Sequence, residues 1–128
     1  MRENAIPTTN EKEVLEEKIS NHLHALRAPR RRLAIHLLAG RGSASQTSTR
    51  WLARRIASQE NNLDPGLVSG KRYKNVYNAL SQSHLPTLSG AEIIVYDPHR
   101  QEVHLGPSFE LAHFLLNLNE PAIEMFYD

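Results

Sequence analysis

The residues of this chain best suited to chemistry are cations and amides rather than nucleophiles: Lys71, Arg72, Lys74, Asn75, Asn78 and Gln82. Tyr73, Val76, Tyr77, Leu80 and His84 follow an i, i+3, i+4, i+7, i+11 pattern, which predicts a helix over 70–83 with those side chains turned inward. At 100° per residue, Lys71, Asn75, Asn78 and Gln82 fall on the opposite side, flanked by Arg72 and Lys74. Lys matches guanine O6 and N7, and Asn or Gln matches adenine N6 and N7, so this face has the donors and acceptors that read base edges in a DNA major groove. It carries no acid. A face that is merely solvated usually mixes in Glu or Asp.

Charge is concentrated in the same region. The 128 residues hold 15 Lys plus Arg and 14 Asp plus Glu, a net of +1. By segment, residues 1–20 carry 3 basic and 5 acidic groups (−2), residues 21–90 carry 11 and 2 (+9), and residues 91–128 carry 1 and 7 (−6). The neutral total therefore averages a basic centre against acidic flanks. A patch of this charge attracts phosphates and releases their counterions. Arg30 and Arg31 beside a helix start, Arg54 and Arg55 on a short helix, and Arg100 at a hairpin tip are the expected phosphate contacts.

Other chemistries find no residues to perform them. There are no cysteines, which removes disulfides, thiol catalysis and thiolate zinc sites. Of the seven histidines, His22 and His24 project to different sides of a helix, His36 and His113 fall on separate helices, and no His-Glu-x-x-His spacing occurs, so no metal site is expected. With no glycine-rich phosphate loop, nucleophile elbow or convergent carboxylate pair, the expectation is a protein that is not an enzyme and needs no cofactor. The longest apolar stretches, 33–39 and 111–116, are too short to span a membrane, and the N-terminus lacks the apolar core of a secretory signal, which implies a cytoplasmic location.

The elements that must position these groups can be read from breakers and periodicity. Residues 1–9 read as a flexible leader, and 10–128 as a single domain of mainly α structure with a small β-hairpin. Asn10 is the expected cap of a first helix, with Glu13 at the capping-box position and a stripe of Leu15, Ile19, Leu23 and Leu26. Pro29 opens a second helix over 29–39 with Leu33, Ala34, Leu37 and Leu38 inward, stopped by Gly40 and Gly42. A polar loop over 43–49, with room for a short strand, leads to a third helix over 50–59 built on Leu52, Ala53, Ile56 and Ala57, beside which Trp51 is expected to be partly buried. Ser69 caps the helix over 70–83, and Pro86 is expected to end it. Two strands over 91–96 and 101–105 flank the turn Asp97-Pro98-His99-Arg100. Ser108 then caps a last helix to about 119, apolar nearly all round, followed by a tail over 121–128.

Helix, loop, helix, connector, helix, hairpin is the order of a winged helix-turn-helix, here with extra N- and C-terminal helices. The third helix of that plan enters the major groove and the hairpin tip reaches the neighbouring backbone. Ala28-Pro-Arg-Arg-Arg-Leu, Trp51-Leu-Ala-Arg-Arg-Ile-Ala-Ser-Gln-Glu-Asn, the run from Lys71 through His84-Leu85-Pro86 to Leu88, and Ile94-Val-Tyr-Asp together resemble a family of small haloarchaeal winged-helix domains that look like transcriptional regulators. The resemblance spans about 20–106 and implies a DNA-binding fold. The chain lacks the acidic composition usual in that family, which points away from a typical halophile cytoplasm or to a virus or plasmid. The apolar last helix implies a homodimer through Phe109, Ala112, Leu115 and Leu116, matching a palindromic site on double-stranded DNA. A protein-interaction module binding an acidic partner is the alternative.

Overall fold

The computed structural model describes residues 8–42 and 46–127. Most of the expected leader, and residues 43–45 of the polar loop, lie outside the described residues.

The first helix, α1, runs Thr9–Ala25 and begins earlier than Asn10. The Thr8 hydroxyl accepts from the Glu11 backbone N–H at 3.1 Å, and the Glu11 carboxylate accepts from the Thr8 N–H at 3.3 Å. Thr8 and Glu11 thus form the reciprocal capping box expected of Asn10 and Glu13, and the helix gains residues at its start. Only the last turn of α1 reaches the core. His22, Ala25 and the following Leu26 are buried, whereas Leu15 and Leu23 of the expected stripe remain 50% and 46% exposed.

Pro29 opens α2, Pro29–Arg41, which passes through Gly40 and stops at Gly42, where φ is +82°. Its buried residues are Ala34, Ile35 and Leu38, with Leu33 and Leu37 at the edge of the core. A two-residue strand β1, Thr47–Ser48, leads directly into α3, Thr49–Asn61. Ser48 caps α3 by accepting from the Trp51 N–H at 3.0 Å, and Leu52, Ala53, Ile56 and Ala57 are fully buried. Asn62, left-handed at φ 53°, ends the helix, and a short 3-10 turn, Pro65–Leu67, carries the chain to Ser69. Asn tolerates that conformation better than most residues.

Ser69 caps α4, Gly70–Ala79, by accepting from the Arg72 N–H at 3.2 Å. Beyond it the expectation fails. The helix does not end before Pro86 but widens into a π turn, Leu80–His84, and continues as α5, Leu85–Gly90. Proline lacks an N–H and its ring crowds the carbonyl four residues back. The π turn, in which the Leu85 N–H donates to the Leu80 carbonyl, widens the helix just ahead of Pro86, and Pro86 then sits in the first turn of α5, where a missing N–H costs nothing.

Two further strands, β2 (Ile94–Asp97) and β3 (Glu102–Leu105), pair antiparallel with Ile94 opposite Leu105 and Asp97 opposite Glu102. β3 also pairs with β1, Thr47 opposite Val103, so the expected hairpin is part of a three-stranded antiparallel sheet of order β1-β3-β2. The last helix, α6, runs Phe109–Tyr127, so its backbone carries Pro121 and most of the expected tail within a helix. Ala25, Leu38, Leu52, Ile56, Val76, Leu80, Leu85, Leu88, Ile94, Val103 and Leu116 belong to one buried cluster that draws on all six helices, the π turn and strands β2 and β3. The chain is mainly helical with a small antiparallel sheet. Among the described residues, no helix is long and apolar enough to cross a membrane.

Candidate nucleic-acid interface

The inner side of α4 is held by Val76 and Leu80, both essentially buried, and its first turn is fixed by the Ser69 cap. The other side therefore faces solvent. Lys71, Arg72, Lys74, Asn75, Asn78 and Gln82 are all exposed, as the helical projection requires. Tyr73 and Tyr77 lie at the margin, half-buried, with ring centroids 5.9 Å apart. Arg72 donates to the Asn61 side-chain oxygen, and Asn61 in turn donates to the Ala57 carbonyl at 2.8 Å, which ties the start of α4 to the end of α3.

The hairpin is fixed to the same helices through Gln101, which no motif or spacing singles out. Its carbonyl accepts from the Thr49 N–H at 2.9 Å, at the start of α3. Its side-chain oxygen accepts from the Tyr96 hydroxyl at 3.0 Å, and that hydroxyl also approaches the Ser81 carbonyl in the π turn at 3.5 Å. Beyond Gln101, Asp97 accepts from the backbone N–H groups of His99 and Arg100 at 3.0 and 3.2 Å, folding the tip and leaving both side chains exposed.

The arginines expected on phosphates divide by their partners. Arg30 forms a two-pronged ion pair with Glu60, at 2.7 and 3.0 Å. Arg31 donates to the Ala25 carbonyl at 2.6 Å and the His24 carbonyl at 3.4 Å, and meets His84 Nδ1 at 3.3 Å. Arg30 is held in a partly exposed ion pair and Arg31 at the end of α1, so the structure shows neither as a free phosphate arm on the α4 face. Arg54 lies 4.5 Å over the Tyr73 ring, and Arg55 lies 5.2 Å and Arg41 4.4 Å over the Trp51 ring. Arg41 and Trp51 were not candidates on sequence grounds. The Trp51 and Arg55 pairing had a signal, since residues four apart on a helix are neighbours.

The dimer residues are placed differently from the expectation. Phe109, Ala112 and Leu116 are buried in this chain's own core and Leu115 packs against it, because α6 lies across the domain. Among the described residues, the large apolar side chains of α6 that remain exposed are Phe114 and Leu118.

Two histidines serve structure. His22 is fully buried and its Nε2 donates to the Ala91 carbonyl at 3.2 Å, leaving Nδ1 buried without a partner. Burial first, and Lys18 more weakly, lower its pKa, opposed by the Ala91 bond. His84 is lowered by burial and then by the charges of Arg31 and Arg30. Since arginine is always the donor, His84 Nδ1 is the acceptor in that contact. Among the described residues there is no group of three or more His, Asp or Glu side chains arranged to hold a metal ion.

Residues 23–104 match the family model described as domain of unknown function DUF7344. That is well over half of the 128 residues. The chain belongs to the DUF7344 family. The DUF7344 span runs from the last turns of α1 into β3, so it includes α2, α3, α4 and the sheet, while α6 lies outside it. No curated protein and no solved structure matches the chain.

Proposed function

We propose that this DUF7344 chain is a winged helix-turn-helix transcriptional regulator that binds double-stranded DNA, with α4 in the major groove. The observation that carries this reading is the exposed, acid-free face of α4 and the π turn that continues it, where Lys71, Asn75 and Asn78 of α4 and Gln82 of the turn stand between Arg72 and Lys74. These are the side-chain types that pair with base edges, on a helix whose other side is anchored in the core. The element order supports it: α2, β1, α3, α4 with its continuation through the π turn into α5, and then a hairpin follow one another in the sense of that fold, and the hairpin tip presents Arg100. The resemblance to haloarchaeal winged-helix domains agrees with it. Phosphate contacts are assigned to Arg54, Arg55 and Arg100, and no longer to Arg30 and Arg31.

Selection from a random duplex library tests the reading. The full chain enriches a preferred sequence, and Asn75→Ala changes the preferred base at one position while keeping general affinity. Absence of any enrichment, together with binding to an acidic protein surface, would favour the interaction-module alternative instead.

A further inference from the structure

Four arginines, Arg41, Arg50, Arg54 and Arg55, converge on the region where α3 begins. An open groove of about 350 Å³ is lined there by Ser48, Arg50, Trp51, Arg54, Arg55 and Pro65. None of the four guanidinium groups has a carboxylate partner among the described residues, in contrast to Arg30, which is paired with Glu60. Three of them lie over aromatic rings, Arg41 and Arg55 over Trp51 and Arg54 over Tyr73. Such stacking uses the flat face of the guanidinium, neutralises none of its charge and leaves its in-plane N–H donors free. It also reduces the side-chain freedom that binding would otherwise remove. The groove therefore holds cations with no hydrogen-bond partner among the described residues, and Arg54 and Arg55 of its lining are already oriented by the rings. Its position is fixed too, because the Thr49 N–H bond to Gln101 sets it beside the hairpin and Arg54 sets it beside the start of α4.

We propose that this groove is a phosphate clamp in which Arg41 and Arg55, steadied by Trp51, Arg54, steadied by Tyr73, and the exposed Arg50 grip consecutive phosphates of one DNA strand beside the major groove occupied by α4. This rests on the DNA-binding reading and adds Arg41, Arg50 and Trp51 to it. Planar guanidinium groups with free edges suit the paired oxygens of a phosphate, which can come from duplex DNA or from a free inorganic polyphosphate. The single tryptophan of the chain reports the site directly.

The test titrates the full chain with a short duplex and, separately, with inorganic triphosphate, following Trp51 emission and the salt dependence of duplex affinity. The variants are Arg54→Ala/Arg55→Ala and the charge-keeping Arg54→Lys/Arg55→Lys, with circular dichroism to verify the fold. The expected result is that duplex changes Trp51 emission in the wild type and that the alanine pair lowers the magnitude of the salt slope by about 2, roughly 0.9 per lost contact. The lysine pair keeps most of the slope. If the duplex binds but a folded alanine pair keeps the wild-type slope and emission change, the clamp is wrong while the DNA-binding reading stands. If triphosphate alone perturbs Trp51, and the alanine pair abolishes this, the DNA-binding reading and the strand assignment fall and the groove is a small-anion site. If neither ligand acts, both fall.

Discussion

Arg31 was expected at a phosphate and is found instead closing the turn between α1 and α2. Its guanidinium covers the Ala25 carbonyl at the C-terminal end of α1, adds a second donor to the His24 carbonyl, which also accepts from the Arg27 N–H at 3.2 Å, and braces His84 in the π turn. From sequence alone, an arginine near a helix start can serve either an external phosphate or the preceding helix, and only the path of the chain decides. Arg31→Ala should therefore destabilise the fold by about 1–3 kcal/mol, the cost of uncovering buried polar groups. Urea unfolding would detect this, and the salt slope on duplex should be unchanged; unaltered stability with a reduced slope would restore Arg31 to the interface. His22 makes the second residue-scale prediction. With its pKa lowered below the ordinary value of 6.5 by burial, the unfolded chain binds more protons than the folded one in the interval between the two values. Stability is thus fully present above about 6.5 and is lost as pH falls below it, and His84 adds in the same direction. Urea midpoints at pH 7.5 and 5.5 should show the decline, and His22→Asn should flatten it. A midpoint that is constant or rises toward pH 5.5 contradicts the assignment.

The elements were most legible where period and cap agreed. Leu52, Ala53, Ile56 and Ala57 on α3, and the Ser69 cap with its opposed inner and outer faces on α4, follow directly from spacing. The failures came where a tertiary or backbone accommodation overrode a local rule. Pro86 did not stop its helix because a π turn absorbs it, and Pro121 lies within α6. On α1 the apolar period was real, but the side turned to the core is the one that carries His22 and Ala25, so Leu15 and Leu23 do not enter the core. β1 was seen only as a possibility, since two residues give no alternation to read. Gly106, read simply as a breaker, has a sharper role. It ends β3 against the backbone that enters β2, donating to the Ile93 carbonyl at 2.9 Å, and a Cβ there would stand 2.8 Å from Ile93 C and Ile94 N. Because those are backbone atoms, Gly106→Ala should cost about 1–3 kcal/mol and weaken the sheet that aims the hairpin. Calorimetry showing wild-type stability for this variant would contradict the packing described.

At the scale of the whole molecule, the near-neutral charge conceals the feature that matters. A central +9 segment contains α2, α3 and α4, and the acidic segments lie at either end of the chain. Within the basic segment the structure separates structural arginines from available ones: Arg30, Arg31 and Arg32 bond to Glu60 or to backbone carbonyls, while Arg50, Arg54 and Arg55 do not. The number of cations free to meet phosphates is therefore smaller than the sequence count suggests. Whether this chain is a DNA-binding protein is decided by its affinity for double-stranded DNA at about 50 and 200 mM salt. About five phosphate contacts should give binding at the lower concentration and a loss of about 500-fold at the higher. No retention of any duplex at 50 mM, or an affinity indifferent to salt, would contradict the DNA-binding reading.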